Sequence, residues 1–480
     1  MIPALNLSAL RDAYARGISV VTVAEAVWRN AARPEHTEAW IYRVPREEFL
    51  AGARRLQTLI EANAGALRSG NAGVLEGFPL LGVPFAVKDN IDVAGVPTTA
   101  ACPGYEHIAE TSAPAVQKLL DAGALFVGKT NMDQFATGLV GTRSPYGVCK
   151  NPFNPEYITG GSSSGSALAV STGMVAFALG TDTAGSGRVP AGFTNIVGLK
   201  PTKGAVSTRG VVPACPSLDC VSVFTPVAAD AFAVLRVIEG FDFDDPYSRP
   251  RPAAVLRAPR PSTSSRTFRF GVPLAGQLDF SGDREYTALY EQGRAALAAM
   301  GGIEIPIDIS ALLRAAHMLY TGPWLAERAE AIGRWGDKHP EALLPLLREI
   351  LAPAQSISAT EVFCGLHEMQ ALRRLAEPLW GMMDLLYLPT TPTIFTRAQI
   401  DEQPLARNAI LGRFTNFVNL MDLCAVTLPA GFRTDGLPFG ITLMAPAFSE
   451  ALMEPIAQAW EKQSGIVPGA SAQKGVKAVL

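Results

Sequence analysis

The chain has 480 residues, 48% of them apolar and only 18% charged, with 44 acidic against 41 basic side chains for a net charge of −3. Disorder over most of the length is excluded, because it needs low hydrophobicity and high charge; at about 150 residues per domain, the length allows two or three domains or one large α/β unit. No basic excess exists to hold nucleic acid by counterion release, which argues against a dedicated DNA or RNA binder but not against a site for a small anionic substrate.

The opening MIPALNLSALRDAYARG carries charge by Arg11 and holds no apolar core of signal-peptide length. Over residues 1–65, apolar side chains recur at three- and four-residue spacing, as in REEFLAGARRLQTLIEANAG, and predict an N-terminal helical segment. The texture then changes. PLLGVPFAVK ends in a short apolar strand that stops at Lys88-Asp89-Asn90. SAPAVQKLLDAG predicts a helix, and ALFVG a buried strand bounded by glycine. SALAVSTGMVAFALGTD reads as a helix of small residues running toward a strand. Residues 240–267, rich in Pro, Arg and Ser, read as a linker-like insertion. FRFGVP restarts a strand, residues 284–380 are mostly helical, and LLYLPTTP and AVTLPAGF return to strand texture. Residues 466–480 read as a tail. Helices alternating with short apolar strands predict an α/β fold over residues 66–465.

Six cysteines stand at 102, 149, 215, 220, 364 and 424, mostly in apolar surroundings. Cys215 and Cys220 form a C-x4-C pair with no second pair to complete a zinc site. They read as buried, reduced thiols of a cytoplasmic protein without a metal. The longest charge-free run, Tyr157 to Thr181, could span a bilayer by length, but its TGGSSSGS makes a poor membrane segment.

Gly123-Ala-Leu-Phe-Val-Gly128-Lys129-Thr130 matches the Walker A pattern. A P-loop needs a strand before its first glycine and a loop whose N–H groups face phosphate. Here a helix precedes Gly123, and Ala-Leu-Phe-Val has strand character. The match reads as a helix–strand junction.

The stretch that carries chemistry is TGGSSSGS (Thr159–Ser166) followed by GTDTAGSGRVP (Gly180–Pro190). Three serines between glycines make a poor core and a poor helix, and alone would be a plain flexible loop. The second cluster changes that. Gly180 and Gly185 bracket a turn whose N–H groups can converge on an anion beside a serine, as a nucleophile next to an oxyanion hole requires. A serine nucleophile needs a base. The five histidines (36, 107, 317, 339, 367) all lie far in sequence from both clusters, which disfavours a Ser–His–Asp triad without forbidding it, and Ala184-Gly-Ser186-Gly lacks the G-x-S-x-G spacing of a nucleophile elbow. Lys88 is the better base: at the end of an apolar strand, desolvation disfavours its ammonium form. A solvated lysine remains the plainer reading of any single strand-end lysine.

Lys88, GGSSSGS and GTDTAGSGR in this order resemble the amidase signature family. The likeness spans roughly residues 25–460 and takes in GKTNMDQF, GLKPTKG and LPFGITLMAP. It implies a large twisted mixed sheet covered by helices on both faces. It also implies a Ser–Ser–Lys triad: Ser186 as the acyl-forming nucleophile, Ser162 as the bridging serine after a cis bond from Gly161, and Lys88 as terminal base and acid. Backbone N–H groups of Thr183, Ala184 and Gly185 would hold the oxyanion.

YITGGSSSGSALAV, LYTGPWLAER (Leu319–Arg328) and GRFTNFVNLMDLC (Gly412–Cys424) are similar to the allophanate hydrolase branch. That resemblance implies release of ammonia from a small carboxylated amide in urea or in triazine and biuret nitrogen breakdown, with no cofactor. Tyr320 and Arg328 would bind the substrate, since Arg supplies a planar fork and Tyr a hydroxyl. Pro323 would open a helix between them. Other small amides, such as carboxybiuret or malonamate, and a glutamyl-tRNA amidotransferase-like subunit remain alternatives. A homodimer is expected, with a separate C-terminal domain or partner to decarboxylate the product.

Overall fold

The computed structural model describes residues 5–62, 77–253 and 267–470. In chain order its strands are β1 (Trp40–Arg43), β2 (Pro84–Lys88), β3 (Pro97–Thr98), β4 (His107–Ile108), β5 (Leu125–Thr130), β6 (Phe177–Thr181), β7 (Val197–Lys200), β8 (Val221–Thr225), β9 (Phe268–Pro273), β10 (Gly302–Ile307), β11 (Leu385–Pro389), β12 (Leu423–Phe432) and β13 (Pro438–Pro446). Eleven of them form one sheet in the order β1-β5-β2-β6-β8-β7-β12-β13-β11-β9-β10, and β3 and β4 pair separately.

The sheet is mixed, as expected. β5, β2 and β6 run parallel at one side and β11, β9 and β10 at the other. Parallel neighbours need crossovers. Helix Pro114–Asp121 lies on the connection from β2 to β5, and helix Ser164–Ser171 on the connection from β5 to β6. The centre is antiparallel, and β12 and β13 are joined by a tight turn in which Gly436 adopts φ +82°.

Burial alternates residue by residue along the central strands. Leu385 and Tyr387 enter one apolar core, Leu386 and Leu388 another; Leu443 and Ala445 join the first, Met444 the second. Successive strand residues face opposite sides, so both faces of the sheet are covered. The second core also takes Leu312, Leu319, Trp324, Met369 and Leu372 from helices Ser310–Thr321, Pro323–Lys338 and Ala359–Ala376. Pro323 does sit in the first turn of its helix.

Three expectations need correction or limits. The segment 1–65 holds the helices Leu7–Ala15, Val20–Ala31 and Arg46–Ala62, but also the strand β1, antiparallel to β5 at the sheet edge. Four residues are too few for a period to show. Five cysteines are buried and unpaired, whereas Cys364 is exposed on its helix. Residues 254–266 of the linker-like stretch and 471–480 of the tail lie outside the described residues. The start of that tail packs on the body: Gly469 N–H donates to Asn195 O at 2.7 Å and Ala470 N–H to Ser171 O at 2.9 Å. Among the described residues no helix is long and apolar enough to cross a membrane.

Candidate active site

β2 and β6 are parallel neighbours, so their C-terminal residues, Lys88 and Thr181, come together. The Gly160–Ser163 turn leads into helix Ser164–Ser171 beside them, and the Gly161–Ser162 bond is cis. Lys88 Nζ donates to Ser162 Oγ at 2.7 Å and to Thr181 Oγ1 at 2.7 Å. No part of Lys88 is exposed. Burial pulls its pKa from 10.5 down to about 7, against the opposing charges of Asp133, Asp219 and Asp182. Near neutral pH the amine is therefore about half neutral, which suits a general base. Its lone pair can then accept the Ser162 proton across the same contact.

Asp133 fastens the bridging turn. Its N–H donates to Ser162 O at 3.1 Å, and its carboxylate accepts the N–H groups of Gly141 at 3.0 Å and Arg143 at 2.9 Å. A Cβ on Gly161 would stand 2.1 Å from Asp133 Oδ2, so only glycine fits there.

Ser186 lies in the turn between β6 and helix Val189–Phe193. Asp182 organises that turn. Its oxygens accept Gly185 N–H at 2.8 Å, Gly187 N–H at 3.0 Å, and the Arg188 fork through Nε at 2.8 Å and Nη2 at 2.9 Å. Arg188 reaches on to Thr415 O, and Asn419 Nδ2 donates to Asp182 O at 2.7 Å. Gly185 thus commits its N–H to Asp182, because the carboxylate oxygen lies directly against it. The N–H groups of Thr183, Ala184 and Ser186 have no acceptor among the described residues. They are the donors left for an oxyanion. Ser186 Oγ also has no hydrogen bond among the described residues, so the Lys88–Ser162 arm is formed and the Ser162–Ser186 arm is open.

Thr183 Oγ1 donates to Asp219 Oδ1 at 2.5 Å, and Asp219 also accepts Ala214 N–H at 2.8 Å. Burial raises the Asp219 pKa, opposed by these hydrogen bonds and by Arg328. Helix Pro323–Lys338 docks on the same loop: Glu327 accepts Ser217 N–H and Oγ–H, each at 2.7 Å. This brings Arg328 within electrostatic reach of Asp219, which holds Thr183. Arg328 Cζ lies 5.7 Å from the Tyr320 ring centroid, so the two expected substrate residues are together.

None of the five histidines contacts either serine: His36 is paired with Asn30 O and His107 with Asp92, for example. The Walker-like lysine is structural. Lys129 is buried at the end of β5, 3.2 Å from Asp89 Oδ1 and donating to Thr98 Oγ1 at 2.8 Å. Among the described residues no cluster of three or more His, Cys, Asp or Glu is placed to hold a metal. Sequence reasoning does not single out Thr181, Asp133, Asp182 or Asp219. Asp133 and Asp182 lie within motifs already noted, but nothing local marks what their carboxylates bind.

The family model described as Amidase matches residues 53–453. Urea amidolyase from Saccharomyces cerevisiae is 46% identical over 383 residues, which cover 79% of this chain and 20% of that protein. The chain thus spans about a fifth of that relative's length. A glutamyl-tRNA(Gln) amidotransferase subunit from Acidobacterium capsulatum is 35% identical over 408 residues, 80% of this chain and 85% of that one. A solved structure of Kluyveromyces lactis allophanate hydrolase superposes with a TM-score of 0.87 at 38% identity, covering 97% of this chain and 73% of that one.

Proposed function

The chain belongs to the amidase family, and from that premise we propose that it hydrolyses the terminal amide of allophanate, urea-1-carboxylate, with release of ammonia. Neutral Lys88 takes a proton from Ser162, which takes one from Ser186 as Ser186 Oγ attacks the amide carbon. The N–H groups of Thr183, Ala184 and Ser186 receive the oxyanion. The proton returns through Ser162 to the leaving nitrogen, ammonia departs, and water hydrolyses the acyl-Ser186 ester by the same relay. The remaining product is the N-carboxylated carbamate. Nucleophile, base and oxyanion donors all come from the chain, so the reading calls for no cofactor. The relay needs Ser186 within reach of Ser162 once substrate is bound; such contacts are often long in an apo enzyme and tighten in the Michaelis complex.

The observation that carries this reading is a buried lysine, its ammonium disfavoured by burial, in contact with Ser162, together with a buried arginine that touches no carboxylate among the described residues. The first prepares amide chemistry and the second prepares a pocket for an anionic substrate. The names of the urea amidolyase and allophanate hydrolase relatives support the same substrate.

We place the amidase unit at residues 66–465, with the preceding segment packed against it and adding the edge strand β1 to its sheet, and the activity in the cytoplasm, where unpaired cysteines persist. We take the assembly as a homodimer, with a separate domain or partner decarboxylating the product.

The test is ammonia release from fresh allophanate beside biuret, malonamate and a neutral amide, with Ser186→Ala as the blank. Release from allophanate, lost in the variant, is expected. Release from the neutral amide alone would keep the triad and reject the substrate.

A further inference from the structure

Two arginines meet at Thr137. Arg328 Nη1 donates to Thr137 Oγ1 at 3.0 Å, and Arg143 Nη1 donates to Thr137 O at 3.0 Å. Both are buried, Arg328 at 2% and Arg143 at 6% exposure. Among the described residues neither guanidinium touches a carboxylate. The remaining bond of the Arg143 fork goes to Pro404 O at 3.1 Å, and its Nε is buried without a partner. Asp133, on the same loop, binds the backbone N–H groups of Gly141 and Arg143 rather than the guanidinium.

Asp133 acts on Arg143 at a distance, and Asp219 and Glu327 on Arg328, but like charges in a low-dielectric interior repel, and a buried fork without a touching counter-ion is costly. Such a pair is reasonable where an anionic ligand completes it. The loop is built to keep it. A Cβ on Gly138 would meet Arg143 Nη1 at 2.9 Å, so a side chain there would crowd the guanidinium. Leu139 N–H donates to Asn408 Oδ1 at 2.8 Å, and Leu139 O accepts Gly161 N–H at 2.9 Å. The segment that holds Arg143 therefore also abuts the turn of Ser162.

Resting on the carboxylated-amide reading above, we propose that Arg143 is a positioning and specificity residue. It fixes Thr137, and through it Arg328, and adds the second positive charge that makes the pocket select carboxylated over neutral amides. Arg143 need not touch the substrate for this. Its charge acts over the short path through Thr137, and its fork holds the carbonyl whose residue orients the Arg328 guanidinium.

The experiment uses the full chain, a neutral fluorophosphonate to label Ser186, and malonate as a small carboxylate that protects the site. In Arg143→Gln, malonate protection is expected to weaken about tenfold, the size of one charge-assisted hydrogen bond, and by more than labelling itself slows. Arg143→Lys should regain part of that protection, which a purely structural defect would not. Equal loss of labelling and protection, or protection unchanged, would overturn the proposal. So would a wild type that malonate does not protect. If Arg143→Gln fails to fold, Thr137→Val keeps the carbonyl for Arg143 and deletes the Arg328 bond, together with the Thr137 Oγ–H donation to Phe135 O at 3.2 Å. Weakened malonate protection in it upholds the inference, and full protection refutes it. A wild type that ignores allophanate yet is protected by malonate would reject the proposed substrate and leave this inference standing.

Discussion

On the proposed relay, Lys88 should set the pH dependence of Ser186. A lysine moved from 10.5 to about 7 has had its charged form destabilised by about 5 kcal/mol, at about 1.4 kcal/mol per pKa unit. At pH 7 roughly half of the amine is neutral, against about 0.03% for an unperturbed lysine, so burial supplies more than a thousandfold in competent base. The rate of Ser186 labelling by a neutral fluorophosphonate reports this without interference from substrate ionisation. Measured from pH 5 to 9, it should rise about tenfold per unit up to a bend near 7 and then level. The same shift has a stability consequence. Between pH 7 and 10.5 the unfolded chain holds a proton on Lys88 that the folded chain lacks, so stability rises with pH across that window. Below about 7 both states are protonated and the full penalty of the buried charge applies. Lys88→Met should therefore raise the melting temperature most at or below pH 7 and least above pH 10. The penalty it relieves is offset in part by the Ser162 hydroxyl, left without a partner at about 1–3 kcal/mol, while Thr181 Oγ1 keeps the Asn90 Nδ2 donor at 3.3 Å. A bend at pH 9 or above in the wild type, or a flat profile from 5 to 9, would refute the assignment of Lys88 as the base.

Other variants probe what surrounds it. Thr181→Val removes a hydroxyl that accepts from the ammonium at 2.7 Å; with the charged form less well held, the bend in the labelling profile should move to lower pH, whereas an unmoved bend would show that Thr181 does not bear on Lys88. Gly161→Ala drives a methyl to 2.1 Å from Asp133 Oδ2, and urea unfolding should show a loss of about 3 kcal/mol or more; a near-neutral result would mean that the turn yields easily. Glu461 accepts Ala228 N–H at 2.7 Å, and burial raises its pKa from 4.5 to about 7. The folded state binds the proton more tightly, so this residue's penalty is full above pH 7 and fades as pH falls toward 4.5. Glu461→Gln keeps the acceptor and removes the charge. Its melting temperature should exceed that of the wild type at pH 8 and match it near pH 4.5, and the opposite order would reject the sign.

Much of the fold and the order of the chemical residues is legible in the chain itself. Short apolar strands such as PFAVK and LFVGKT, alternating with helices, specify an α/β sheet because buried parallel strands need unbroken apolar runs. Lys88 at the end of an apolar strand offers a desolvated base, although a solvated lysine is the plainer reading of that position alone, and the helix before Gly123 disqualifies the Walker-like match. The glycine–serine clusters marked two tight turns, since few other residues leave the backbone room there.

Tertiary structure decided the partners. Lys88 and Thr181 are 93 positions apart, and Arg328 and Thr137 are 191 apart; contacts across such distances follow from strand order and helix docking, and leave no period or spacing behind. The commitment of Gly185 N–H to Asp182 was invisible for a different reason. Which of several neighbouring N–H groups faces an anion depends on where a carboxylate lies in space, and Asp182 takes Gly185 and Gly187, while the N–H groups of Thr183, Ala184 and Ser186 have no acceptor among the described residues. β1 is four residues long and gains its stability from pairing with β5, so its conformation is set by a neighbour and not by its own sequence. The sequence by itself determined which side chains could do the chemistry, because desolvation, backbone freedom and apolar periodicity are local. Only the folded chain decided which hydroxyl, carboxylate or guanidinium each one meets, because hydrogen bonds and charges act through space.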